Sequence, residues 1–310
     1  MGTYLVTGGC GFIGSHLVES LIRDGHGVRV LDDLSSGRRE NLPAAADLLV
    51  GDVADAALVR RAIDGVDGCF HLAAIASVER GNLDWLGTHA ANLTGAIAVF
   101  DAARRSGARG IPVAYASSAA VYGDEAAMPL TEQSPTRPLS AYGADKLGCE
   151  LHARVAGVVH DVPTAGMRFF NVYGPRQDPK SPYSGVISVF CDRLRSQRPI
   201  TIFGDGLQTR DFVYVADVVA SLRAGMTRLS DGPAVATAVY NVCTGRSTSV
   251  VELVATIAGL CGIAPEIEFA PPRAGEIRVS LGSPDRLRAE LGIECRTLLA
   301  DGLSATLDSL

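Results

Sequence analysis

The feature that most restricts the fold lies at the amino end, where the apolar run Thr3-Tyr4-Leu5-Val6-Thr7 passes directly into Gly8-Gly9-Cys10-Gly11-Phe12-Ile13-Gly14. A β-type run, glycines spaced G-x-x-G-x-x-G and a helical pattern over residues 13–24 read as strand, tight turn and helix. In such a turn Gly8 permits the bend, Gly11 lets backbone approach a pyrophosphate, and Gly14 lets the helix pack on the strand. The helix start at Phe12 and Ile13 offers unpaired N–H groups and partial positive charge to the phosphates. Glycine spacing alone is a weak signal. Its position at a strand–helix junction turns it into a dinucleotide fingerprint.

The alternation continues. Strands are expected over residues 4–7, 28–31, 48–50, 68–71, 111–116 and 164–168, with helices over 13–24, 56–63, 92–106 and 141–160. That pattern gives an α/β class: a Rossmann-type doubly wound parallel sheet over residues 1–168. Beyond about residue 170 the rhythm breaks into a helix at 186–196, short strands at 200–203 and 212–215, a helix from 217, a strand at 239–242 and a helix at 250–260. We read residues 169–310 as a smaller, interleaved α/β lobe over the carboxyl edge of the main sheet, with the strand near 239–243 returning to that sheet.

Eighteen residues after Gly14 the second strand ends in Asp32-Asp33. An acid there accepts from both adenosine ribose hydroxyls and repels a 2′-phosphate, which favours NAD over NADP; the plainer reading is a turn or cap residue. Asp52 and Val53 after the third strand suit the adenine amine. Leu72, Ala73 and Ala74 after the fourth pass near the nicotinamide half. His71 reads as a satisfied strand-end histidine, and Arg38-Arg39 as a solvated loop or a contact to a cofactor phosphate.

Lys146, one of two lysines in the chain, follows Tyr142 by four residues. On a helix such residues stack on one face, about 5–6 Å apart at Cβ. The ammonium then stabilises a phenolate, giving a general base usable near neutrality. Lysine suits this better than arginine, being a compact charge that can also hydrogen-bond a ribose. The bland alternative is a surface Tyr–Lys pair.

Bulk properties exclude several classes. The 310 residues suffice for a large core, and a net charge of −6 gives no sign of nucleic-acid binding. No run approaches the ~18–20 apolar residues of a membrane span, and the start lacks a signal-peptide pattern, so cytoplasmic residence is expected. Seven scattered cysteines without C-x-x-C spacing read as buried thiols, with no disulfide framework and no metal site expected.

Together, Thr7–Gly14, Asp32-Asp33-Leu34-Ser35-Ser36-Gly37, Asp52-Val53, Ser117-Ser118-Ala119-Ala120-Val121-Tyr122-Gly123, Tyr142-x-x-x-Lys146 and Met167-Arg168-Phe169-Phe170-Asn171-Val172-Tyr173-Gly174-Pro175-Arg176 resemble the extended short-chain dehydrogenase/reductase superfamily. The match runs nearly the whole length, and the nearest branch is the UDP-sugar 4-epimerases, UDP-glucose 4-epimerases in particular. The resemblance implies a tightly held NAD and reversible oxidation at sugar C4 through a 4-keto sugar. It makes Tyr142 the base on the 4-hydroxyl, Ser118 its hydrogen-bonding partner at the 4-oxygen, and Lys146 the residue holding the nicotinamide ribose. It adds Leu34, Ser35, Gly37, Asn92, Ser117, Phe169 and Phe170 to the cofactor site. To the UDP-sugar it assigns Ser77, Asn171, Gly185, Val186, Thr201, Ile202, Phe203, Arg210, Arg273, Glu276 and Ser280, with Arg210 and Arg273 as a guanidinium pair on the diphosphate.

Two departures bear on the branch. Related 4,6-dehydratases carry an Asp-Glu pair directly after the active-site Ser or Thr, where this chain has Ala119 and Ala120, which cannot move a proton. Epimerases restricted to unacetylated sugars carry a tyrosine where this chain has Ser280, so room for a 2-acetamido group is expected. A UDP-glucuronate 4-epimerase is the nearest alternative, and a non-catalytic NAD-binding regulator is one from another class. A 4-keto-sugar reductase needs NADPH, against Asp32. A homodimer is expected through helices 92–106 and 141–160, with Ala96, Ala98, Ala102, Ala103, Ala153 and Ala156 on the contacting surface.

Overall fold

The computed structural model describes residues 1–178, 185–231, 237–272 and 277–310. Its first half runs β1 (Thr3–Thr7), α1 (Phe12–Arg23), β2 (Gly27–Asp32), β3 (Asp47–Val50), α2 (Ala56–Ile63), β4 (Gly68–His71), α3 (Val78–Leu83), α4 (Trp85–His89), a π-helical turn (Ala90–Thr94), α5 (Gly95–Ala102), β5 (Val113–Ser118), α6 (Ala141–His160) and β6 (Thr164–Phe169). The second half continues with β7 (Asn171–Tyr173), α7 (Val186–Arg195), β8 (Ile200–Phe203), β9 (Thr209–Arg210), β10 (Phe212–Tyr214), α8 (Val215–Asp231), β11 (Thr237–Val242), β12 (Thr248–Ser249), α9 (Val250–Cys261), β13 (Ile267–Ala270), α10 (Asp285–Leu291) and α11 (Leu299–Asp308).

Seven parallel strands form one sheet in the order β11-β6-β5-β4-β1-β2-β3. The sheet is covered on both faces, so its central strands are apolar without alternation, and every residue of β4 and β6 is buried. Val6, Phe70 and Met167 pack under α1 and α8, whereas Leu5, Cys69, Val113 and Tyr115 pack under α2, α5 and α6. Full burial of a Leu or Val side chain contributes roughly 1.5–3 kcal/mol, so these two layers fix the register of the sheet. Strand order reverses between β1 and β4, and ligands of such folds bind outside the carboxyl ends at that switch point. The strand ending at Val242 pairs with β6 at the edge of the main sheet.

The second lobe is built from two-stranded pieces, β7 with β10, β8 with β13 and β9 with β12, around a core of Ile187, Phe190, Leu194, Ile202, Leu253 and Ile257. The helix expected over 92–106 lies further towards the amino end: α4, the π-helical turn and α5 run without a break from Trp85 to Ala102. The strand expected from 111 begins at Val113, because Pro112 has no N–H to give the ladder. Ala96, Ala98, Ala103, Ala153 and Ala156 do not form a contacting surface: they are buried against the sheet, where small side chains let α5 and α6 sit close. The outer faces carry Trp85, Leu86, Leu151, Val155, Val158 and Val159 instead, all exposed.

Candidate active site

The cofactor turn closes through contacts that only hydrogen in place of a side chain permits. A Cβ on Gly14 would lie 2.1 Å from the carbonyl oxygen of Gly8, so any larger residue forces the turn away from α1. The Ser15 N–H bonds Gly11 O (3.0 Å), leaving the N–H groups of the first turn of α1 directed at the crevice. Asp32, at the end of β2, is buried and accepts from Cys10 N (2.9 Å) and Leu34 N (2.9 Å), one on each oxygen. Burial raises its pKa and those two N–H bonds oppose the rise. A carboxylate has about four acceptor sites, so capacity for two ribose hydroxyls is left. Asp33 accepts from Ser35 N and Oγ, shaping the loop to Gly37, which packs on Cys10 and Asp32. Asp52 holds its own turn through Ala54 N (2.8 Å), and Val53 is buried beneath α5. These groups fit an NAD dinucleotide. We expect Asp32→Asn to weaken NAD about tenfold, the worth of one hydrogen bond to a charged group, and to narrow the preference over NADP. Calorimetric titration of both dinucleotides checks this.

At the end of β4, the N–H groups of Leu72 and Ala73 both donate to Thr7 Oγ1 (3.2 Å each). The remaining hydroxyl proton therefore goes to His71 Nδ1 (2.8 Å), which places the ring proton on Nε2. Nε2 is buried with no protein partner among the described residues, so His71 is only half satisfied, and burial followed by the charge of Lys146 pushes its pKa down to about 3. An unfolded histidine titrates near 6.5. The unfolded chain thus binds the extra proton between those values, and this contribution to stability is complete above pH 6.5 and lost as pH falls towards 3. Wild type should lose about 2 kcal/mol from this source between pH 6.5 and pH 5. His71→Asn, which keeps an acceptor for Thr7, should remove that part of the slope in denaturant melts.

Ala74 is half-buried, and Ser77 caps α3 by accepting from Arg80 N (3.0 Å). Asn92 sits in the π-helical turn with its amide closed on the Ile75 peptide, accepting from N (2.7 Å) and donating to O (3.2 Å). It shapes the loop after β4.

The Tyr–Lys pair lies on α6 and faces the end of β5. Ser140 caps the helix through Gly143 N (3.1 Å). A Cβ at Gly143 would stand 2.6 Å from Ala120 O, so glycine lets the helix close on the turn that follows Ser118. Lys146 Nζ lies 5.9 Å from the Tyr142 ring centroid and donates to Ala116 O (2.9 Å), leaving two more donors on the ammonium. Lys146 is buried and Tyr142 half-buried. Ser118 Oγ accepts from Ala120 N (3.1 Å) at the head of a short 3-10 turn. Ser117 points the other way, its hydroxyl bonded to Glu150 (2.5 Å). Phe169 and Phe170 are buried at the end of β6.

In the second lobe Asn171 is exposed, with its N–H on Asp211 O (3.0 Å). Gly185 and Val186 open α7. On β8 the Ile202 side chain belongs to the lobe's core, leaving Thr201 and Phe203 half-buried on the other face. Arg210 lies on β9 and Ser280 is tied to that strand through Thr209 O (3.1 Å). Arg273 and Glu276 lie outside the described residues. Arg38 pairs with Asp178 (2.8 Å), and Arg176 with Glu19 (2.6 Å), joining the two halves of the chain beside the cofactor turn. No cluster able to hold a metal occurs among the described residues.

Sequence reasoning missed Glu150, Thr7 as a hub, and the pairing of Arg168. The signal for the last was available: a charged residue in an otherwise apolar strand must find a partner.

A doubly wound sheet with a glycine turn after its first strand, a buried carboxylate at the end of the second and a Tyr–Lys pair on α6 is the arrangement of a dinucleotide-dependent enzyme. Residues 4–243 match the model of the NAD dependent epimerase/dehydratase family. The chain is 41% identical over 311 residues to UDP-glucose 4-epimerase of Mycolicibacterium smegmatis, covering 98% of this chain and 97% of that protein. Its structure resembles that of UDP-glucose 4-epimerase from Thermotoga maritima with UDP-glucose (TM-score 0.92, 33% identity, 99% and 98% covered). It equally resembles UDP-N-acetylglucosamine 4-epimerase from Methanobrevibacter ruminantium in complex with UDP-N-acetylmuramic acid (TM-score 0.92, 32% identity, 99% and 97% covered). The chain belongs to the NAD dependent epimerase/dehydratase family.

Proposed function

We propose that this protein is an NAD-dependent 4-epimerase of UDP-hexoses, acting on UDP-glucose and UDP-galactose and on their 2-acetamido counterparts. The observation that supports the reading is that Lys146 lies over the Tyr142 ring and binds the Ala116 carbonyl of β5, the strand that ends in Ser118, in a fold whose Gly8–Gly14 turn and Asp32 fit NAD. Bound NAD supplies the acceptor, and then the donor, of the C4 hydride. Tyr142 takes the 4-hydroxyl proton and later returns it, Ser118 hydrogen-bonds the 4-oxygen, and Lys146 stabilises the phenolate while holding the ribose. The 4-keto sugar turns about its diphosphate while Arg210 and Arg273 keep the nucleotide in place. Ala119 and Ala120 supply no acid for elimination across C5–C6, which disfavours dehydration.

In this reading residues 1–168, with β11, hold the cofactor, and residues 169–310 hold most of the UDP-sugar. The protein works in the cytoplasm, consistent with seven unpaired thiols and with the absence, among the described residues, of any helix long and apolar enough to cross a membrane. It works as a homodimer through the apolar outer faces of α4 and α6, which carry Trp85, Leu86, Leu151, Val155, Val158 and Val159. The test is to incubate the protein with UDP-galactose, UDP-N-acetylgalactosamine and UDP-glucuronate and resolve the C4 epimers. Conversion of the first two is expected; conversion of UDP-glucuronate alone would move the assignment to the uronate enzyme, and no conversion would end it.

A further inference from the structure

One buried charge pair has no part in the chemistry above. Arg168 on β6 grips Glu150 on α6 with both arms, Nε to Oε1 at 2.8 Å and Nη2 to Oε2 at 2.7 Å. Their side chains are 6% and 7% exposed. Ser117 Oγ donates to the same Oε1 at 2.5 Å. On the other side, Arg168 Nη1 donates to Tyr122 Oη (2.8 Å), which donates to Asn241 Oδ1 (2.6 Å). Asn241 then donates from Nδ2 to Leu130 O (2.9 Å) and from its backbone to Glu132 (2.7 Å). Leu130 is zipped to Leu281 and Ser283 by two backbone bonds of 2.8 Å.

Tyr142, Lys146 and Glu150 follow one another at four-residue steps along one face of α6. Lys146 binds the carbonyl of Ala116, and Glu150 binds the hydroxyl of Ser117. The helix is therefore fastened to β5 at two successive residues, and the next residue of that strand is Ser118. Buried ion pairs are often replaceable by apolar side chains of similar volume without loss of stability. Stability alone does not explain this one.

We propose that Glu150 and Arg168 are positioning residues for the epimerisation: they set the register of α6 on β5, hence the approach of Tyr142 to Ser118, and tie that register to the 130–132 and 281–283 segments next to Ser280. The inference rests on the function proposed above. A misplacement of about 1 Å costs on the order of a hundredfold in rate, and the Ser117 hydroxyl, which the resemblance gave to the cofactor, is turned to Glu150 instead.

The experiment compares wild type with the double variant Glu150→Met/Arg168→Met, and with Ser117→Ala and Ser117→Thr. In the double variant kcat is expected to fall at least tenfold, with KM and NAD affinity within about threefold and Tm near wild type, and with the pH profile of kcat displaced. Ser117→Ala leaves the ion pair intact and should lower kcat several-fold, while Ser117→Thr, which keeps the hydroxyl, restores it. Wild-type kcat in the folded double variant, or equal rates for the alanine and threonine variants, overturns the proposal. If the double variant does not fold, the Ser117 pair decides. An inactive wild type would instead condemn the functional reading itself.

Discussion

Replacing Tyr142 with phenylalanine is expected to lower kcat for C4 inversion by about 10²–10⁴-fold, the range that a positioned general acid–base contributes. The substitution removes one oxygen and little else. The ring keeps its place on α6, the helix keeps its Ser140 cap, and Lys146 keeps its bond to Ala116. NAD affinity should therefore stay within a few-fold, since the ammonium proposed to hold the ribose is untouched. That split separates a proton-transfer role from a packing role, because a packing defect would weaken the cofactor as well. Rates are measured by resolving the sugar epimers, and NAD content by absorbance of the released dinucleotide. A phenylalanine variant running above a tenth of the wild-type rate would remove Tyr142 from the chemistry.

The first half of the fold was readable because its elements announce themselves locally. Strands such as Gly68–His71 are short apolar runs set off by turn residues before them, here Asp64-Gly65, and α2 fills the eight residues its pattern marks, with Asp55 as its cap. The cofactor turn was readable because Gly14 is a steric requirement, not a preference. Where the reading failed, distant contacts had decided. The helix expected over 92–106 stops at Ala102, where the Ala103 carbonyl accepts from Ile111 N (2.8 Å) at the start of the run into β5. Pieces such as Thr209–Arg210 and Ile267–Ala270 are two to four residues long and exist through pairing with Thr248–Ser249 and Ile200–Phe203, which no local pattern encodes. The alanines of α5 and α6 are illegible in this respect, because a small residue carries no mark of the face it lies on. The site divided in the same way. Tyr142 and Lys146 share a helix and could be paired from spacing, whereas Glu150 and Arg168 meet only once β6 lies beside β5.

Substituting tyrosine for Ser280 should lower kcat/KM for UDP-N-acetylglucosamine and UDP-N-acetylgalactosamine at least a hundredfold, with little change for UDP-glucose and UDP-galactose. The backbone around Ser280 is held from both sides. Its N–H bonds Thr209 O (3.1 Å), Thr209 N bonds Arg278 O (2.9 Å), and Val279 bridges to Thr209, all beside the strand that carries Arg210. On the far side Leu281 O receives Leu130 N (2.8 Å), and a Cβ at Gly282 would already press on Phe170 and Cys243 at 2.6 Å. A larger side chain at 280 cannot be absorbed by sliding this segment, so it must take space from whatever Ser280 borders. A single methylene too many in a fitted pocket is worth roughly 10–200-fold in kcat/KM, and an acetamido group is several heavy atoms larger than a hydroxyl. The ratio of kcat/KM between acetylated and plain sugars is the measurement, since it cancels any general loss of stability. If S280Y leaves that ratio at its wild-type value, the wall that faces the C2 substituent lies on another segment of the second lobe.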